Sequence, residues 1–142
     1  MRSREDITDI VLHCSDSDLV YHDDISIIRD WHIQERRWKD VGYHWFITKT
    51  GDIQQGRKEL IQGAGVRGFN KNSIHICLSG KEEFEDIEFL MLKGMLERIC
   101  DYYPIKKVWY HRDLDNKKTC PNYTIDWLQS FNETIQTKKI NC

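Results

Sequence analysis

The chain has 142 residues, 39% of them hydrophobic and 31% charged, which is enough for one domain with a real core and gives no sign of a second. Its 21 basic and 23 acidic residues are interspersed and leave a formal net charge of −2, which argues against a nucleic-acid partner held by bulk electrostatics. No window approaches the roughly 20 apolar residues of a membrane span, and Met1-Arg2-Ser3-Arg4-Glu5-Asp6 carries neither an apolar leader nor a small-residue cleavage site, so no secretory signal is expected.

From Asp6 to Ser15 the β-branched run Ile7-Thr8-Asp9-Ile10-Val11-Leu12-His13-Cys14 predicts a strand that ends in a polar loop, Asp16 to Asp18. His13 then stands at a strand's C-terminal end. Because side chains alternate faces, His13 and Cys14 point opposite ways, and only one of them can face a site at that edge. Alone, His13 reads first as a hydrogen-bonded structural histidine. Asp24 to about Arg37 is helical in pattern, with Asp23 or Asp24 as N-cap and Ile27, Ile28 and Trp31 on one face. Trp31 and His32 are either core residues of that helix or neighbours of a pocket.

Val41 to Thr48 predicts a second strand, Thr50-Gly51-Asp52 a tight turn and Ile53 to Gly56 a returning strand, which together make a hairpin. Strict alternation would set Tyr43, Trp45 and Ile47 on one face. The loop Gly63-Ala64-Gly65-Val66-Arg67-Gly68-Phe69-Asn70 has three glycines in six residues, a sign of a loop shaped around a ligand or of a tight crossing. Its spacing is not that of a phosphate loop, and it leads into a strand, Ser73 to Leu78, so a nucleotide site is excluded.

Glu82 to Tyr103 predicts the longest helix, with Ile87, Leu90, Met91, Met95, Ile99 and Tyr102 as its inner face and Pro104 closing it. The strand Lys107 to Tyr110 follows, then a polar loop, a helix from about Thr124 to Thr134, and a frayed tail from Thr137 to Cys142. Alternating strands and helices with one hairpin predict an α/β fold: a single domain over 1–142 with a mixed central β-sheet flanked by helices.

The five cysteines are odd in number and irregularly spaced, and they read as reduced thiols rather than a disulfide framework. Cys77 and Cys100 read as core residues. The informative stretch is Val108-Trp109-Tyr110-His111-Arg112-Asp113 through Lys117-Lys118-Thr119-Cys120-Pro121. It puts His111 at a strand end and Cys120 on the loop beyond. Imidazole and thiolate are the side chains zinc prefers, and the two lysines are expected to lower the Cys120 pKa. A catalytic zinc takes three protein ligands and leaves the fourth position to water, so one more ligand is required.

Seven segments in order carry a resemblance over nearly the whole chain. They are Ile10-Val11-Leu12-His13-Cys14-Ser15; Ile28-Arg29-Asp30-Trp31-His32; Val41-Gly42-Tyr43-His44-Trp45-Phe46-Ile47; Gly51-Asp52 with Gly56-Arg57; Gly68-Phe69-Asn70 with Asn72-Ser73-Ile74; Cys77-Leu78-Ser79-Gly80; and Tyr110-His111-Arg112-Asp113 with Lys118-Thr119-Cys120-Pro121. In these the chain resembles zinc-dependent N-acetylmuramoyl-L-alanine amidases of the phage lysozyme type, which share their fold with peptidoglycan recognition proteins.

The resemblance implies one zinc ion per chain held by His13, His111 and Cys120, with Tyr43 and Lys118 as catalytic assistants and Trp31, His32, Gly65 and Asn70 as substrate contacts. It implies cleavage of the amide between N-acetylmuramic acid and L-alanine of peptidoglycan by a monomeric, phage-type endolysin. Such a chain would be made in the cytoplasm and reach the wall only if another protein releases it. The alternatives are a non-catalytic muropeptide-binding protein of the same fold, a cytosolic recycling amidase or a delivered toxin. Two positions depart from the family pattern: Gly65 stands where a loop histidine is usual, and His75 stands where the core strand usually has glycine.

Overall fold

The computed structural model describes residues 1–38 and 40–140, with side chains through Thr137. Five strands make one sheet: β1 (Asp9–Cys14), β2 (Trp45–Ile47), β3 (Ile53–Gln55), β4 (Ser73–Leu78) and β5 (Lys107–Tyr110), in the spatial order β3-β2-β4-β1-β5. β1 runs parallel to both β4 and β5, β2 runs parallel to β4, and the β2–β3 hairpin supplies the antiparallel edge. The sheet is therefore mixed, as predicted. The β4 and β5 bounds coincide with the β-branched runs that predicted them.

Period-2 alternation sends the side chains of the central strands to two different cores. Ile10, Leu12, Ile74, Ile76 and Leu78 join Leu92, Met95, Leu96 and Ile99 of helix α2 (Asp86–Tyr102), and Leu128 and Ile135 of helix α4 (Leu128–Ile140), in the larger cluster. On the opposite face Phe46 and Cys77 pack with Ile25 and Ile28 of helix α1 (Ile25–Gln34). Each such side chain, fully buried, contributes about 1.5–3 kcal/mol of transfer free energy. Helix α1 begins where the Asp24 carboxylate accepts the Ser26 N–H at 2.8 Å, the N-cap expected.

Several local expectations are corrected. Regular β2 starts only at Trp45, so alternation does not extend back to Tyr43, which packs against the cluster that holds Phe46 and Ile28, while Ile47 belongs to the other core. Helix α2 starts at Asp86, because the Asp18 carboxylate takes the backbone N–H groups of Lys81, Glu82 and Glu83 and holds that segment in a turn. Its inner face is rotated from the predicted one: Ile87, Leu90 and Tyr102 are exposed, while Glu88 is buried. The last helix runs from Leu128 to Ile140, so the tail expected to fray is helical as far as Ile140, and Asn141 and Cys142 lie outside the described residues. Among the described residues there is no disulfide, and no helix is long and apolar enough to cross a membrane.

Candidate metal centre

Parallel pairing is what brings the distant histidines together. β1 and β5 are hydrogen-bonded neighbours with Leu12 opposite Tyr110, so the next residue on each strand, His13 and His111, emerges at the same sheet edge. Their ring centroids lie 4.9 Å apart. After β5 the chain does not go straight into a loop as expected. His111 opens a single helical turn, α3 (His111–Leu114), stabilised by the Asp113 carboxylate accepting the Tyr110 N–H at 3.0 Å.

The segment then turns back. Lys117 N–H donates to Asp115 Oδ1 at 3.0 Å and Lys118 N–H to the Asp115 carbonyl at 3.0 Å. Arg112 N–H reaches the Cys120 carbonyl at 2.7 Å, and the Arg112 guanidinium donates to the Pro121 carbonyl and, at 2.9 Å, to that of Tyr123. Tyr123 is itself tied to β1, its hydroxyl donating to the His13 carbonyl at 3.0 Å.

These bonds carry Cys120 over the end of β1, where its sulfur accepts the Cys14 N–H at 3.2 Å. The donor atoms of His13, His111 and Cys120 all lie within 4.8 Å of one another, the three residues that the sequence singled out. Alternation does send the Cys14 side chain to the opposite core, yet at the strand end its sulfur still comes within 3.8 Å of Cys120 Sγ.

The electrostatics suit a cation. Burial first, and the neighbouring His111 second, hold His13 well below the usual histidine range, and burial also lowers His111. Both imidazoles are neutral at pH 7 and have a lone pair to give. His111 Nδ1 is buried and has no hydrogen-bond partner among the described residues, the state of a nitrogen whose partner is a metal. The Cys120 thiol is pushed up, by the Cys14 side chain first and by burial second. The lowering expected from Lys117 and Lys118 is absent because both are exposed and the groups facing the sulfur are a second thiol and the core. A cation is what would draw the proton from this thiol. Two neutral nitrogens and a sulfur are a donor set for a borderline-soft divalent ion.

The centre opens onto a cleft of about 750 Å³. His111, Cys120, Tyr43 and Lys118 line it, and so do Trp31, His32, Gly65 and Asn70. His13, 1% exposed, is the floor beneath. Two of the residues expected to touch substrate have polar atoms already in use: His32 Nδ1 accepts the Gly42 N–H at 2.8 Å, and Asn70 Oδ1 accepts the N–H groups of Gly65 and Val66, each at 2.9 Å. They shape the walls. Tyr43 sits with its ring 4.9 Å from that of His13, and burial pushes its pKa well up, so it remains a phenol.

Sequence reasoning missed Arg36, Trp38 and Arg67, which also line the cleft. Helix α1 ends at Gln34, Arg37 takes a positive φ of 57°, and Trp38 N–H folds back to the His32 carbonyl at 3.1 Å. That reversal brings Arg36, otherwise on the outer face of a helix running to about Arg37, to the rim together with Trp38. The only sequence signal was the absence of apolar periodicity after Gln34.

The family model for N-acetylmuramoyl-L-alanine amidase matches residues 3–123. The chain is 30% identical to the endolysin of Enterobacteria phage T3 over 138 residues, covering 92% of this chain and 90% of that protein. It is 28% identical to the endolysin of Escherichia phage T7, covering 97% of this chain and 95% of that one. Its fold is similar to that of the N-acetylmuramoyl-L-alanine amidase LysC from Clostridium intestinale, with a TM-score of 0.77 at 24% identity over 96% of this chain and 87% of that one.

Proposed function

Because the chain belongs to the N-acetylmuramoyl-L-alanine amidase family, we propose that its three converging donors hold zinc and that the cleft above them hydrolyses the amide joining N-acetylmuramic acid to L-alanine. The protein is a peptidoglycan amidase of the phage endolysin type. The observation that carries the zinc assignment is the convergence of His13, His111 and Cys120 within 4.8 Å at the base of a substrate-sized cleft. The presence of a sulfur in that group supports turnover over muropeptide binding alone. All the donors come from one chain, which supports action as a monomer. The absence of a spanning helix among the described residues is compatible with release to the wall by another protein.

Zinc bound by this set supplies Lewis acidity for an amide carbonyl and brings the pKa of water down to roughly 7. The chain's own residues do the rest. His13 and His111, neutral and packed ring against ring, keep the donors in place without reorganisation. Tyr43, whose pKa burial raises, can donate its proton in a hydrogen bond toward negative charge that develops on the carbonyl oxygen. Lys118, two residues before Cys120 on the rim, brings an ammonium to the same oxygen. Trp31, with its ring 4.4 Å from His22, gives the sugar or lactyl group an apolar wall, and Gly65 keeps the opposite wall low.

The test is digestion of purified sacculi and of soluble muropeptides by the zinc-loaded protein and by Cys120→Ser, with products identified by mass spectrometry and zinc counted by elemental analysis. One zinc per chain and newly freed L-alanine amines are expected, with both lost in the variant. New reducing sugar ends in place of free amines would overturn the bond assignment, and a zinc-replete Cys120→Ser would overturn the ligand set.

A further inference from the structure

The two positions at which the chain departs from the family pattern meet in space. His75 projects from β4 on the same face as His13 and is completely buried, and its Nδ1 lies 2.9 Å from His13 Nε2. The room for its ring exists because residue 65 has no side chain: a Cβ there would stand 2.3 Å from His75 Nδ1. Gly63 gives way on the other edge, where a Cβ would meet His75 Cδ2 at 2.8 Å. Set against the resemblance drawn from the sequence, the imidazole here rises from the floor of the sheet and not from the loop.

The position of that ring is fixed from behind. His44 Nε2–H donates to the Ile61 carbonyl at 2.8 Å, so His44 Nδ1 is the acceptor for the His75 backbone N–H at 2.9 Å. The His44 and His75 rings then lie parallel, 5.8 Å apart with 6° between planes. Nor is His75 a simple filler. Its Nε2 is buried with no hydrogen-bond partner among the described residues, a desolvation cost that an aliphatic side chain of similar size would not incur. Of the two nitrogens that the imidazole adds over such a side chain, Nδ1 is aimed at a candidate metal ligand.

We infer that His75 is a positioning residue for the metal centre: its Nδ1 accepts a hydrogen bond from His13 Nε2–H, which locks His13 in the tautomer whose free lone pair, on Nδ1, faces the cation. The two neutral rings share one proton between these nitrogens, so the direction of the bond decides the chemistry. With the proton on His75 Nδ1, His13 would carry its own on Nδ1 and could not ligate through it. With the proton on His13 Nε2, the ligating nitrogen is free and more basic, as when a carboxylate or carbonyl backs a metal-bound histidine. His75 does this without adding negative charge to the site, where a bound cation would already make Cys120 a thiolate. The inference rests on the zinc assignment proposed above.

The test separates the two. Zinc affinity is measured by chelator competition for the unchanged protein, His75→Leu, which fills the space without an acceptor, and His75→Asn, whose Oδ1 falls close to the imidazole Nδ1. His75→Leu is expected to bind zinc 10- to 100-fold more weakly, with His75→Asn close to the unchanged protein. Equal affinity in all three, or equal loss in both variants, overturns the positioning role. Nitrogen-15 NMR of the metal-free, unchanged protein gives a second readout that needs neither a folded variant nor activity. A proton on His13 Nε2 is expected, and one on His13 Nδ1 refutes the inference. Failure of the unchanged protein to bind zinc would sink the metal assignment, while the tautomer measurement would still decide the role of His75.

Discussion

Gly65→Ala is the sharpest structural test of the exchange between loop and strand. The added methyl would lie 2.3 Å from His75 Nδ1, 2.6 Å from Cε1 and 2.7 Å from Cγ, against an optimal carbon contact of roughly 3.5–4.0 Å. Retreat of the imidazole is opposed by the parallel His44 ring behind it and by His13 at its Nδ1. Overpacking of a core costs about 1–3 kcal/mol. With three ring atoms inside contact distance, about 3 kcal/mol is expected. For a chain of this size that corresponds to a fall in Tm on the order of 10 °C. The assay is thermal unfolding of the metal-free protein, so that zinc linkage does not enter, in a double-mutant cycle with His75→Ala. Removing the ring makes room for the methyl, and the two changes should couple by about 2 kcal/mol. Additivity within about 0.5 kcal/mol would show that the residues do not compete for one space.

Two further outcomes follow from the geometry. Glu88 is fully buried on α2, with Oε1 accepting the Glu85 N–H at 3.0 Å and Oε2 without a partner among the described residues, and burial pushes its pKa up to about 7. The folded state therefore favours the protonated acid, and this stabilisation is present at low pH and lost as pH rises from the usual carboxylate range through about 7. Denaturant titrations at pH 5 and pH 8 should show Glu88→Gln gaining about 2–3 kcal/mol relative to the unchanged protein across that window, and parallel pH profiles would contradict the assignment. Lys118→Ala should keep its zinc and lose one to three orders of magnitude in amide cleavage, about the effect of removing one oxyanion donor, while the exposed Lys117→Ala changes neither. Unchanged turnover in Lys118→Ala would exclude the proposed role.

The parts of this molecule legible in its sequence were those written in local pattern. Ser73 to Leu78 and Lys107 to Tyr110 are runs of β-branched and aromatic residues between breaks, and their bounds agree with the strands found. His111 and Cys120 were paired because both flank one short polar segment, whereas His13 stayed ambiguous until the family pattern supplied it, since strand register is not a local property. Where local pattern misled, a particular contact prevailed. A hydrophobic stripe cannot register the buried Glu88, so the inner face of α2 was set one step off. Lysines adjacent to Cys120 in the chain do not face its sulfur, while Cys14, more than a hundred residues away, does. The exchange of Gly65 and His75 was visible as two separate oddities and became a single fact only when the loop was seen lying across the strand.

The earliest strand of the sheet, β1, lies between the last but one and the last to be made. A nascent chain on the ribosome thus holds β1 with no partner on either side until β4 emerges, and has no second candidate metal donor beside His13 until β5 has docked. Contacts so remote in sequence form late, after most of the loop-closure entropy has been overcome. A wall-cutting site built this way is expected to need most of the chain, since a product of premature termination short of Cys120 lacks the third candidate donor.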